Sequence, residues 1–225
     1  MFKKIAAFGD CNTLGANSLE RKSYPEKIGS KINAEVLNTG HTMATTREGV
    51  NLLRDNLGDA DCVMIQFGLA DSYKTFKYSP YVLYYPDNIL RKQFRSIVKK
   101  YKKLCRQSGL NALLGEVNVV PSDEYEKNLR TMIEMSFPRK TFLIDTIPNK
   151  QLERNSEIKR YNQVLDQLCN EYEHCVKIDL YNVFECGLSQ YYQDLTHCNE
   201  DGYECIADII VDKIMGSTAK PQDSC

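Results

Sequence analysis

Ile5-Ala6-Ala7-Phe8-Gly9-Asp10-Cys11-Asn12-Thr13-Leu14-Gly15 runs from a short apolar segment directly into a polar turn bounded by glycines. An apolar run of this length, with no polar face, reads as a buried parallel strand, and the turn as its passage into a helix. Cys11 then stands on the first strand-to-helix turn. Four further runs read as strands, so that the set is Lys4–Phe8, Glu35–Asn38, Cys62–Phe67, Thr141–Thr146 and Cys175–Leu180. Helical periodicity lies between them, over Tyr24–Ile32, Thr46–Asn56, Tyr125–Ser136, Ile158–Tyr172 and Asp201–Met215. Strand and helix in alternation predict a three-layer α/β/α sandwich with a five-stranded parallel sheet, flavodoxin-like in type. Sites in such sheets form at the carboxyl ends of the strands. Cys11, Gly40 and Gly68 each follow a strand, and His197 lies in the loop before the last helix.

With 225 residues, 42% hydrophobic content and a net charge of −1, the chain is expected to form one domain over residues 1–215 and a polar, flexible tail over 216–225. No apolar run approaches the length of a membrane span. The run from Ile5 to Phe8 stops too soon for a signal peptide, so a cytoplasmic protein is expected. Nine cysteines, an odd number with no Cys-x-x-Cys pair, argue against a disulfide framework. Cys169, His174, Cys175, Cys186, Cys198 and Cys205 match no zinc spacing, and no metal or cofactor is expected. Cys62 reads as a small core hydrophobe.

Residues 72–121 interrupt the rhythm as an inserted segment. Five tyrosines (Tyr73, Tyr78, Tyr81, Tyr84, Tyr85) precede a helix with apolar positions Leu90, Phe94, Ile97, Tyr101 and Leu104. From Ser72 to Leu110, ten basic residues face the single acid Asp87, a local charge of +9. One reading is a solvated lysine-rich helix whose apolar stripe packs on the domain. The other is a cap in which Lys99, Lys100, Lys102 and Lys103 receive an anionic ligand or a membrane surface. No nucleic-acid motif accompanies the charge, and a nucleic-acid partner is not expected.

Four blocks make the chain resemble the SGNH (GDSL-type) hydrolase family: Gly9-Asp10-Cys11, Asn38-Thr39-Gly40, Gly68-Leu69-Ala70-Asp71 and Asp194-Leu195-Thr196-His197. Two signature residues differ, with Cys11 at the nucleophilic serine's position and Ala70 at that of the third block's asparagine. The resemblance implies the SGNH hydrolase fold, and catalysis by Cys11 as nucleophile, His197 as base and Asp194 as its carboxylate partner. It also implies that the Gly40 amide serves an oxyanion hole. Ala70 removes a side-chain donor worth about 10²–10³ in rate, and Asn118 is a candidate replacement. A thiol at a helix N-terminus near an imidazole is expected to be shifted toward thiolate. Thiolate leaves a tetrahedral intermediate more readily than alkoxide, which suits acyl thioesters or acyl transfer better than simple esters. The implied activity is acyl-ester hydrolysis or acyl transfer through an acyl-cysteine, on a small molecule or glycan such as an acylated carbohydrate, or on an acyl thioester. The alternative is a catalytically impaired binding module for an anionic glycan or lipid-linked ligand.

Overall fold

A computed structural model describes residues 2–216. In chain order the elements are β1 (Lys4–Gly9), α1 (Cys11–Leu14), α2 (Tyr24–Ile32), β2 (Glu35–Asn38), α3 (Thr46–Asn56), β3 (Cys62–Gln66), β4 (Lys74–Phe76), α4 (Ile89–Gln107), α5 (Leu110–Leu114), β5 (Glu116–Asn118), α6 (Ser122–Ser136), β6 (Lys140–Ile144), α7 (Asn155–Glu171), β7 (Cys175–Ile178), α8 (Tyr181–Cys186) and α9 (Glu200–Gly216). Five strands form one parallel sheet in the order β2-β1-β3-β6-β7. The three-layer architecture expected from the alternation is present.

The side-chain alternation of the strands builds the two outer layers. Ile5, Ala7, Met64, Phe142 and Ile144 point to one face, where they pack against α2 and α9 through Tyr24, Ile28, Tyr203 and Ile206. Ala6, Phe8, Val63, Ile65 and Leu143 point to the other, against Leu53 of α3, Leu129 and Ile133 of α6 and Leu165 of α7. Each such side chain removed from water contributes about 1.5–3 kcal/mol. Both faces of β1 and β3 are covered, so these two strands carry no polar alternation.

β1 lies between β2 and β3, and the chain leaves β1 toward one face and β3 toward the other. This is the topological switch point, where ligands of open α/β sheets bind. The ends of the strands are tied together there. Thr13 Oγ1 donates to Gln66 Oε1 at 3.2 Å, and Gln66 Nε2 donates to the Asp145 carbonyl at 3.1 Å. Gly9 has to be glycine, because a Cβ there would stand 2.0 Å from Thr13 Oγ1.

The inserted segment departs from its expected form in two ways. It is closed by an antiparallel pair, β4 with β5, too short and too polar to stand out in the sequence. The apolar stripe of α4 also does not pack on the domain. Val98 and Cys105 are the buried positions of that helix, while Leu90, Phe94, Ile97 and Leu104 are exposed. At the carboxyl end, Gly216 still belongs to α9. The remainder of the expected tail, residues 217–225, lies outside the described residues.

Candidate active site

Asp10 caps the four-residue helix α1, its carboxylate accepting from the Asn12 amide at 2.9 Å, and Cys11 is the first residue of that helix. The Cys11 side chain packs against Leu69, Ile158 and Tyr181, so the nucleophile position is walled by the loop after β3 and by α7 and α8. Burial pushes the thiol well above its ordinary value, the Asp10 carboxylate beside it adds to the rise, and the Cys11 and Asn12 amides oppose it. The expected shift toward thiolate is therefore reversed in the resting protein. One short turn of helix supplies too little dipole to offset desolvation and an adjacent acid.

Asp194 and His197 form a pair. The His197 ring nitrogen Nδ1 stands 2.8 Å from Asp194 Oδ2, while Asp194 Oδ1 accepts from the Thr196 and His197 amides, each at 2.7 Å. Burial alone would raise the Asp194 pKa, but these donors outweigh it and hold the carboxyl below its ordinary value. An ionised carboxylate fixes the ring orientation and leaves Nε2 to exchange a proton.

Asn12 joins the two halves. Its Nδ2 donates to the Thr196 carbonyl and its Oδ1 accepts from the Cys198 amide, both at 3.3 Å. The residue after Cys11 thus holds the backbone on both sides of His197. Asn149 Nδ2 adds a bond to Thr196 Oγ1 at 3.0 Å. These contacts hold the turn that bears Cys11 to the loop that bears the Asp194–His197 pair, 184 and 186 residues further along the chain.

The oxyanion positions are occupied as follows. The Gly40 amide donates to Asn38 Oδ1 at 2.8 Å. A Cβ at Gly40 would lie 2.3 Å from the Leu14 amide nitrogen, so close packing against α1 by itself requires glycine. Asn118 Nδ2 donates to the Ser72 carbonyl at 2.9 Å and to Glu157 Oε2 at 3.0 Å, and Asn118 Oδ1 accepts from Arg160. Ala70 lines a cavity of about 150 Å³ whose walls include Tyr73, Tyr81, Tyr84, Val98 and Val119. Lys99 and Lys102 line it too, with Arg95, whereas Lys100 and Lys103 are exposed. Burial lowers the Lys102 pKa, and nearby Arg47 adds to this.

The tyrosine-rich segment is anchored by Glu48, a buried residue of α3. Its carboxylate accepts from the Thr45 amide at 2.8 Å, the Tyr84 amide at 2.8 Å and the Tyr81 hydroxyl at 2.9 Å. Thr45 and Glu48 close a capping box, worth about 1 kcal/mol, and the same carboxylate fastens the inserted segment to the body. His41 is held beside Tyr84, their ring centroids 6.4 Å apart.

Sequence reading passed over Asn12 and Arg154. Arg154 donates to the Leu69 carbonyl at 2.8 Å and stacks over Tyr73, 4.8 Å from guanidinium carbon to ring centroid. Burial lowers its pKa, while Tyr73, Cys11 and Asp10 act in the other direction. It is a cation on the Leu69 loop, against which Cys11 packs. Its position after β6, in the loop that leads to α7, was the one available signal. Among the described residues no group of three or more His, Cys, Asp or Glu side chains could hold a metal ion. No described helix is long and apolar enough to cross a membrane.

Residues 7–205 match the model of the GDSL-like lipase/acylhydrolase family. Among solved structures, the chain is similar to a lipase/acylhydrolase from Enterococcus faecalis, with 22% identity, a TM-score of 0.67 and coverage of 99% of this chain and 100% of that one. It is similar to a member of the lipolytic G-D-S-L family from Veillonella parvula, with 16% identity, a TM-score of 0.66 and coverage of 95% and 98%. It is also similar to a catalytic mutant of an acetylxylan esterase from Geobacillus stearothermophilus, with 18% identity, a TM-score of 0.63 and coverage of 94% of each chain. Among curated proteins, no sequence matches the chain.

Proposed function

The chain belongs to the GDSL-like lipase/acylhydrolase family and is a hydrolase acting on esters; from that premise we propose that it works through Cys11, His197 and Asp194 by way of an acyl-cysteine. The observation that carries the proposal is the Asp194–His197 pair, at 2.8 Å, fastened to the turn that bears Cys11 by the Asn12 side chain.

In the resting protein the thiol keeps its proton. On attack, Cys11 Sγ forms a bond to the acyl carbonyl carbon as its proton passes to His197 Nε2. The tetrahedral intermediate collapses when His197 returns that proton to the departing oxygen or sulfur, which leaves the acyl group on Cys11. Water, or an acceptor hydroxyl or amine, then gives a proton to His197 and displaces the thiolate. The free acid, or the transferred ester or amide, is released, and the thiol is re-protonated from His197. Because alkoxide leaves less readily than thiolate, His197 protonation is decisive for oxygen esters, and acyl thioesters suit the site better. We take the substrate to be an acyl group carried on a carbohydrate or a thioester. The acetylxylan esterase among the similar structures is consistent with the carbohydrate reading.

Two observations favour the second reading, a module that binds an acylated ligand and turns it over poorly. The thiol is pushed well up by burial, and the Gly40 amide is already engaged. Intact-mass analysis after exposure to aryl acetates and short acyl thioesters separates the two. The catalytic reading requires one acyl group on Cys11, lost in Cys11→Ala and formed far more slowly in His197→Ala. A chain that stays unmodified and yet binds the acylated sugar supports the module.

A further inference from the structure

We propose that α4 is an interfacial helix that seats the protein on an anionic lipid surface, with Leu90, Phe94, Ile97, Tyr101 and Leu104 immersed and its lysines and arginines on the phosphates.

These five side chains recur at intervals of four and three, so they form one stripe along the helix. The helix rests on the remainder of the inserted segment by a neighbouring line, through buried Val98 and Cys105 and through Arg95, which donates to the Leu83 carbonyl and pairs with Asp87. Tyr101 turns its ring against Phe76, with 6.0 Å between centroids, and the other four positions face water. Leu90 is 76% exposed, Phe94 58%, Ile97 62% and Leu104 63%. The next helix, α5, packs on α4 and adds Leu113, which is 78% exposed. Isolated exposed hydrophobes are ordinary, but a continuous row on one helix marks an interaction surface.

Charge selects the occupant. The 19 residues of α4 hold eight lysines and arginines and no acid. A second copy paired through the same stripe would bring sixteen cations together, so self-association works against itself. An apolar row bordered by a high density of cations is the pattern of a helix lying in the plane of a bilayer that carries negative headgroups. The docking also has a consequence for access. Arg95, Lys99 and Lys102, on the helix side that faces the body, line the cavity that contains Ala70 and Tyr73, so this cavity would lie directly beneath the lipid surface. The docking does not depend on Cys11 being catalytic.

The test is flotation of the full chain with vesicles of phosphatidylcholine alone and of phosphatidylcholine with phosphatidylglycerol. Binding to the mixed vesicles only, weakened by salt, is expected. Phe94→Ser with Ile97→Ser should weaken it by about tenfold or more, and so should Lys100→Gln with Lys103→Gln. All four positions are exposed, and thermal unfolding checks that each pair leaves the fold intact. No co-flotation overturns the proposal, as does binding that is indifferent to the Phe94 and Ile97 changes. A concentration-dependent dimer in sedimentation velocity, dissolved by those same changes, would assign the stripe to a second copy instead. Capture by a soluble acidic protein without vesicle binding would equally overturn it.

Discussion

Asn12 clasps the loop that carries His197, giving a hydrogen bond to the Thr196 carbonyl and taking one from the Cys198 amide, both at 3.3 Å. Because Asn12 directly follows Cys11, any displacement of the first turn is passed to the imidazole and the reverse. Asn12→Ala should therefore lower kcat by about a hundredfold with little change in KM, since a shift of about 1 Å in reacting groups costs that much. Asn12→Asp keeps the acceptor for Cys198 and should recover part of the loss. A KM effect alone, with kcat preserved, would remove Asn12 from the role of positioning residue.

Cys11 should be a slow thiol in the absence of substrate. Burial and Asp10 push its pKa well up, whereas Cys186 is exposed. With iodoacetamide at neutral pH, peptide mapping is expected to find Cys186 alkylated at least about tenfold faster. The Cys11 rate should keep climbing with pH beyond the range in which an ordinary thiol ionises. Preferential labelling of Cys11 at neutral pH would contradict the burial argument.

Ala70→Asn places an amide where the cavity meets the Leu69 loop beside Cys11. Turnover of an aryl acetate should rise by about tenfold to a hundredfold, within the range known for one oxyanion donor. Steady-state kinetics measures it. An unchanged kcat would mean that the cavity wall at Ala70 does not face the developing oxyanion.

Asp71 ties the chain after β3 to the start of α3. Its Oδ1 accepts from the Thr46 amide at 2.9 Å and the Thr46 hydroxyl at 2.7 Å, and its Oδ2 is buried without a hydrogen-bond partner. Burial raises its pKa to about 7. The folded chain thus holds this proton more tightly than the unfolded chain does. The resulting stability is complete in acid, below the unfolded pKa, and is lost as the pH rises through about 7. Burial likewise raises Asp10 to about 7, so both carboxyls act in the same window. Urea unfolding from pH 5 to 8 should show this decline, and Asp71→Asn should flatten it. An equal slope in the variant would show that Asp71 does not titrate there.

The scaffold was open to sequence reading because each of its parts is local. Ile5–Phe8 and Cys62–Gln66 are apolar on both sides, and Tyr24–Ile32 and Thr46–Asn56 carry helical periodicity, so strand and helix could be assigned without tertiary information. The Asp194–His197 pair is equally local, being three residues apart. What eluded the sequence is relational. The short strands β4 and β5 exist by pairing with each other, Asn12 acts on a loop 184 residues away, and the thiol's proton affinity follows from what buries it. The stripe on α4 was visible as periodicity, but periodicity does not say which partner covers it.

The inserted segment leaves and rejoins the body at adjoining points. The Val119 amide donates to the Tyr73 carbonyl at 2.8 Å, and the Val120 amide to the Asp71 carbonyl at 3.1 Å. The chain between these residues enters and leaves the body through one narrow neck and is fastened a second time by Glu48. Neither attachment is made by Asp10, Cys11 or His197, so a change of length or sequence within this cassette leaves those three where they are.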